Sequence, residues 1–290
     1  TSVKLSAQEF FSWRRSLLSE GGKAVDFDWL LDVGAGLSWE SKQKLFLDST
    51  RAVKLEQSLD QLTTYWRKHL QHHVPLQYLV GKCPWRDFQL EVSESVLIPR
   101  QETEILVDLA LQKIDKTSRG RWVDLGTGSG AIAVGLARSL PAWQGHAVDC
   151  SEPALLVAER NLKHLAPNAT VQLHLGNWWQ PLKSFWGSLD LVVSNPPYIP
   201  TDLIEQLDSV VRDYEPHLAL CGGKDGLSAC REVIDGVREA LAPGGVLLLE
   251  HHHDQSQRVT ALLRKAGLQE VQFRQDFDGV SRFAIGRTPR

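Results

Sequence analysis

The residues best suited to chemistry are Asn195-Pro196-Pro197-Tyr198. An amide that both accepts and donates hydrogen bonds stands beside a flat aromatic. The backbone there has little freedom, because each proline fixes its own φ and neither can donate to a sheet ladder. Directly upstream, Leu189-Asp190-Leu191-Val192-Val193 is almost uninterrupted apolar sequence and reads as a strand buried on both faces. A corner at the carboxyl end of a buried strand is where ligands bind in open α/β sheets. The plain alternative is a proline-stiffened loop after a core strand, and a short motif does not decide between them.

A second constellation lies upstream. Gly126-Thr127-Gly128-Ser129-Gly130 follows the strand-like Arg121–Leu125 and precedes a helix over residues 131–140. Glycines let a ligand approach the backbone, and the helix start offers free N–H groups. With Ala131 the turn fits the dinucleotide fingerprint, and Asp149 stands about twenty residues on, so a nicotinamide cofactor stays open at this point. Asp149 can accept from both hydroxyls of a ribose; its alternative role is to cap the helix beginning at Ser151-Glu152-Pro153. Asp124 and the turn amides complete this end of the site. His251-His252-His253 invites a metal reading, but neighbouring side chains of an extended segment point to opposite sides, so no metal is expected.

These residues need a scaffold, and from Arg121 onward strands and helices alternate as in a parallel α/β sheet. The strands are expected at residues 121–125, 145–149, 171–175, 189–193 and 245–250, with an antiparallel pair at 270–275 and 281–286 around Asp278-Gly279. Residues 1–78 read as a small helical bundle without strands. Ser6-Ala7-Gln8-Glu9 is a capping box, a second helix stops at Gly34-Ala35-Gly36, a third runs over 38–47 and a fourth over 55–72. Residues 79–100 read as a β-hairpin connector with its turn at Ser93-Glu94-Ser95 and a strand through Val96-Leu97-Ile98. Residues 101–290 then form the catalytic domain. The helical domain is nearly balanced in charge, which favours docking a protein over clamping a nucleic acid.

Composition excludes several classes. At 42% hydrophobic and 23% charged residues the chain can bury a sizeable core, and a net charge of −3 argues against life on nucleic acid by bulk electrostatics. Cys83, Cys150, Cys221 and Cys230 form no CxxC pair, so no zinc or disulfide framework is indicated and a cytoplasmic location fits. No apolar run is long enough to span a bilayer.

Asn-Pro-Pro-Tyr resembles the motif of S-adenosylmethionine-dependent methyltransferases that modify adenine N6 or glutamine N5. Several stretches resemble one family specifically, the HemK/PrmC glutamine methyltransferases. They are Ile98-Pro99-Arg100-Gln101-Glu102-Thr103-Glu104, Asn177-Trp178, Asp213-Tyr214-Glu215-Pro216 and Gly222-Gly223-Lys224-Asp225-Gly226. Gln101 replaces a usual proline and Asn177 a usual aspartate. The resemblance implies a seven-stranded Rossmann-like methyltransferase sheet with S-adenosylmethionine as cofactor, held by Asp124, Gly126, Thr127, Gly128, Ser129, Gly130, Asp149, Asn177, Trp178 and Asn195. It implies methylation of the glutamine in the Gly-Gly-Gln tripeptide of class 1 peptide-chain release factors, by a monomer, with Asn195, Pro196 and Tyr198 at the reacting centre. The alternatives are an adenine-N6 nucleic-acid methyltransferase and a catalytically silent S-adenosylmethionine-binding adaptor.

Overall fold

Two runs of apolar residues determine the centre of the fold. Strand β8 (Leu189–Ser194) and strand β9 (Leu241–Glu250) lie side by side and parallel, and their side chains alternate between two separate cores. Leu191, Val193, Val246 and Leu248 face one core; Val192, Leu247 and Leu249 face the other. Burial on both faces is why these strands read as continuous apolar sequence rather than as alternation. The computed structural model describes residues 2–290.

The main sheet has seven strands in the order β10-β11-β9-β8-β5-β6-β7. Strands β5 (Arg121–Leu125), β6 (Gln144–Asp149) and β7 (Thr170–Leu175) run parallel to β8 and β9, and β11 (Ser281–Arg287) is antiparallel to both β9 and β10 (Gln269–Gln275). The chain builds outward from β5 through β6 to β7, then returns to place β8 on the other side of β5. That reversal leaves a crevice at the carboxyl ends of β5, β6 and β8. Gly145 on β6 keeps the sheet close to the buried Trp122: a Cβ there would lie 2.1 Å from the indole ring.

By its contacts the chain divides into two units. One runs to Pro84 and includes Ser209–Tyr214; the other comprises Trp85–Asp208 and Glu215–Arg290. In the first, helices Ala7–Ser19, Ala24–Ala35, Trp39–Leu47 and Leu59–His72 pack around Phe10, Phe27, Leu62 and Trp66. Ser6 and Glu9 form the expected capping box, and Gly36 ends the second helix with φ of 74°. The expectation of no strands is corrected. Strand β1 (Val3–Ser6) pairs antiparallel with β2 (Ala52–Leu55), because Val3, Leu5, Val53 and Leu55 alternate too briefly to register in sequence yet close over the helices. The fourth helix therefore starts at Leu59 behind the Ser58 cap, not at Leu55. The Tyr214 hydroxyl donates to the His72 carbonyl at 2.5 Å and ties the distant segment into this unit.

The connector is corrected as well. Residues Leu76–Val80 form a short helix ended by Gly81, and the hairpin is β3 (Lys82–Trp85) with β4 (Phe88–Glu91). Its turn is Arg86-Asp87, with Arg86 at φ of 53°, rather than Ser93-Glu94-Ser95. Residues 96–98 form no strand, since their backbone is taken up elsewhere: the Ile98 N–H donates to Glu215 at 2.8 Å.

Candidate active site

A cleft of about 360 Å³ opens where β5, β6 and β8 end, within the size range of small-molecule sites. Gly126, Thr127, Gly128, Ser129, Asp149, Asn177, Trp178, Asn195 and Pro197, all singled out from sequence, line it. Asp124, Gly130, Pro196 and Tyr198 are not part of its wall.

The glycine turn is left-handed at Gly126, Gly128 and Gly130, with φ of 76°, 54° and 86°, values an L side chain resists. Two carboxylates hold it. Asp149 accepts from the Gly128 N–H and from the Ser151 N–H, both at 2.9 Å. Ser151, not Asp149, is the residue that caps the following helix, accepting from Ala154 N. Burial raises the Asp149 carboxyl above the usual range, and the Ser151 and Gly128 amides pull it back. Asp124 is completely buried on β5 and accepts from the Thr127 hydroxyl at 2.7 Å. Burial, reinforced by the neighbouring Asp149 charge, pushes its carboxyl up to about 7.

That shift has a sign. The unfolded chain releases the Asp124 proton near 3.8 and the folded chain near 7. Between those values the folded state holds the extra proton, so rising pH favours unfolding, and the penalty is complete above about 7. A difference of that size corresponds to roughly 4 kcal/mol. Asp124→Asn keeps an acceptor for Thr127 and removes the charge. It is expected to raise the denaturation midpoint of the ligand-free protein at pH 8 and to lose most of that advantage near pH 4. Equal midpoints for variant and wild type at pH 8 would contradict the assignment.

Trp178 sits at φ of 46° with its indole over the glycine turn, so that a Cβ on Gly126 would come within 3.2 Å of the ring. Its N–H donates to Glu232 at 2.7 Å, which fixes the ring as one wall of the cleft. Asn177 lines the cleft beside it and is exposed.

Asn195 follows β8 directly. Its Oδ1 is buried without a hydrogen-bond partner among the described residues. Asn195 lines the cleft, and an orphaned buried acceptor is costly unless a donor reaches it. The loop beyond it is pinned along its length. Ser194 Oγ donates to the Leu125 carbonyl at 2.7 Å, Gln255 Nε2 donates to the Tyr198 carbonyl at 3.1 Å, and Ile199 and Thr201 exchange backbone bonds with residues 220–223. Gly222 and Gly226 permit this approach: Cβ atoms there would lie 2.4 Å from the Gly226 carbonyl oxygen and 2.5 Å from the Tyr198 one.

The structural roles of three residues escaped the sequence reading. Glu215 is buried and pairs with both terminal nitrogens of Arg100 at 2.8 and 2.7 Å, joining the segment before helix Glu102–Gln112 to Pro216 and Leu218 on the cleft wall. Asn161 donates to the carbonyls of Ser129 and Glu91 at 2.8 and 2.9 Å, bracing the glycine turn against β4. Glu250 is the buried last residue of β9. The motif stretches containing Arg100 and Glu215 were visible; that they pair was not, since 115 residues separate them.

The histidines after β9 do not share one centre. His251 is buried, while His252 Nδ1 lies 2.7 Å from Asp254 Oδ1. The chain turns here instead of extending, so donor atoms of His252, His253 and Asp254 fall within 4.8 Å of one another; we assign no ion to them.

Residues 100–212 match the family described as "Methyltransferase small domain". The chain is 55% identical over 286 residues to a release factor glutamine methyltransferase of Prochlorococcus marinus, covering 98% of each chain. It is 38% identical over 297 residues to a protein of the same name from Synechocystis, again covering 98% of each. Among solved structures, a methyltransferase from Pyrococcus furiosus superposes with a TM-score of 0.51 at 20% identity, over 69% of this chain and 89% of that one, a likeness of fold. With a near-full-length match of this identity and a seven-stranded sheet whose cleft gathers the glycine turn, Asp149 and Asn195, the chain belongs to the release factor glutamine methyltransferase family.

Proposed function

We propose that the protein methylates the side-chain N5 of the glutamine in the Gly-Gly-Gln motif of class 1 release factors, with S-adenosylmethionine as methyl donor, acting as a cytoplasmic monomer. The observation that carries the reading is the unpartnered Asn195 Oδ1 on a rigid mount at the end of β8. S-adenosylmethionine supplies an electrophilic methyl group on a sulfonium. The residues present fit such a donor: the Asp149 carboxylate for ribose hydroxyls, the Trp178 ring for a flat base, and an open glycine turn where a Cβ on Gly128 would meet nothing within 4 Å.

An amide nitrogen is a weak nucleophile because its lone pair is delocalised into the carbonyl. Asn195 Oδ1 and the Pro196 carbonyl would each accept one N–H of the glutamine amide. That fixes the orientation of the nitrogen and favours positive charge developing on it. Pro197 and Tyr198 exclude other poses. The proton becomes acidic only as the nitrogen is alkylated, so no strong base is needed beforehand.

Incubation with labelled S-adenosylmethionine and either a class 1 release factor or duplex DNA tests the reading. Label is expected on the factor, at the glutamine; label on DNA alone would replace it with the adenine reading.

We propose further that the helical unit docks the factor. Trp39, Phe46 and Leu47 on its third helix are large apolar residues left 66%, 58% and 88% exposed. Trp39→Ala with Leu47→Ser is expected to raise KM for the intact factor about tenfold, leaving kcat and cofactor affinity unchanged. An unchanged KM would reduce these helices to a covering role.

A further inference from the structure

Glu250 is 2% exposed, yet it is a carboxylate, and a buried charge is among the costliest groups a fold can keep. Its two oxygens each accept from a hydroxyl, and the two hydroxyls come from different segments. Thr103 Oγ1 donates to Oε1 at 2.7 Å, and the Tyr198 hydroxyl donates to Oε2 at 3.2 Å. Thr103 lines the cleft from the start of helix Glu102–Gln112; Tyr198 closes the Asn-Pro-Pro-Tyr corner. One side chain therefore clamps the loop after β8 to the segment that also carries Arg100.

We propose that Glu250 is a positioning residue for methyl transfer: it holds the Tyr198 ring in the orientation that packs on the target amide, and does so fully only as the carboxylate. The inference rests on the glutamine-methylation reading. A carboxylate accepts from both hydroxyls at once. A carboxylic acid accepts more weakly and carries a donor hydrogen of its own, so the bond from Tyr198, the longer of the two, is the one weakened on protonation. The Tyr198 carbonyl is separately fixed by Gln255, so what Glu250 governs is the ring.

The charged surroundings are mixed. Arg282 on β11 favours the carboxylate and Glu102 opposes it; Arg100 and Arg282 face the phenol, and the His252 ring lies 5.9 Å from it. Burial outweighs the two hydroxyls and pushes Glu250 up to about 7, so its charge changes in the neutral range. Below that pH the ring is held less firmly than above it. The limb belongs to kcat at saturating cofactor, whereas a limb from Asp124 would appear in cofactor affinity.

The test uses the full chain, labelled S-adenosylmethionine and intact release factor, with kcat, KM and cofactor Kd followed across the neutral range. Wild-type kcat is expected to rise through a limb near 7. Glu250→Gln is expected to lower kcat about tenfold at high pH, to lose the limb, and to bind cofactor within about twofold of wild type. Tyr198→Phe removes only the hydroxyl and should reproduce both effects. The double variant should be no slower than the slower single one, because both changes break the same bond. Glu250→Gln with wild-type kcat and an intact limb would overturn the proposal. If that variant fails to fold, Tyr198→Phe decides alone, and wild-type behaviour there overturns the proposal equally. A wild type that does not label the factor sinks the methylation reading and this inference with it; a labelling wild type matched by Glu250→Gln sinks only the inference.

Discussion

Asn195→Ala is expected to lower kcat on the release factor by ~10²–10³, the usual cost of deleting one positioned polar group at a reacting centre. Cofactor affinity should change less than about tenfold, or 1.4 kcal/mol. The structure gives the reason for this split. Asn195 Oδ1 is buried and has no donor among the described residues, which on the proposed reading leaves it to accept from the target amide. The backbone on either side is held by Ser194 and by the segment Leu220–Gly223, and alanine leaves those bonds intact. Asn195→Asp is the sharper variant. It keeps the shape and an acceptor but loses the NH₂ and places a charge in a buried position. If acceptance alone matters, much of the activity survives; if the amide must also donate to keep its oxygen in place, aspartate fails nearly as badly as alanine. Single-turnover rates and a calorimetric titration with S-adenosylmethionine separate the two quantities. A folded, cofactor-binding Asn195→Ala enzyme with wild-type kcat would place the chemistry elsewhere.

The second large effect is expected at Asp149. Two charge-assisted bonds to ribose hydroxyls contribute roughly 1.5–3 kcal/mol each, so Asp149→Ala should weaken S-adenosylmethionine binding at least ~10²-fold. The variant also removes the acceptor for Gly128 and Ser151, freeing the glycine turn. Asp149→Asn distinguishes the two contributions, since it can still accept from one of those amides but carries no charge. Asn close to Ala would make the charge decisive; Asn close to wild type would make turn geometry decisive. Unchanged affinity in Asp149→Ala would remove this residue from the cofactor site, and tight NAD binding by the wild type would undo the cofactor assignment itself.

What the sequence revealed and what it concealed follow from the range of the forces involved. The central strands of the main sheet were legible because burial on both faces writes itself into three or four consecutive apolar residues, as in Leu191-Val192-Val193 and Val246-Leu247-Leu248-Leu249. The capping box at Ser6 and Glu9 was legible because its bonds span three residues. Strands β1 and β2 were not, since four-residue segments some fifty positions apart carry no periodic signal until they pair. The turn at Arg86-Asp87 was hidden by a non-glycine residue with positive φ, which local preferences argue against. At the site, the lining residues could be named from spacing, whereas the partners that hold them could not. Glu215 under Arg100, Asn161 under Ser129 and Glu250 under Tyr198 all act across long separations and look, in sequence, like ordinary polar residues.

The bond from Tyr214 to His72 joins positions 142 residues apart, both within the helical unit. During synthesis the helices of that unit precede the sheet, and each can nucleate on hydrogen bonds within its own turns. Its final piece, Ser209–Tyr214, reaches it only after β5, β6, β7 and β8 have left the ribosome. The unit therefore cannot finish folding on its own timetable. Its last contact closes a loop containing most of the catalytic sheet, so the order of assembly is nested rather than domain after domain.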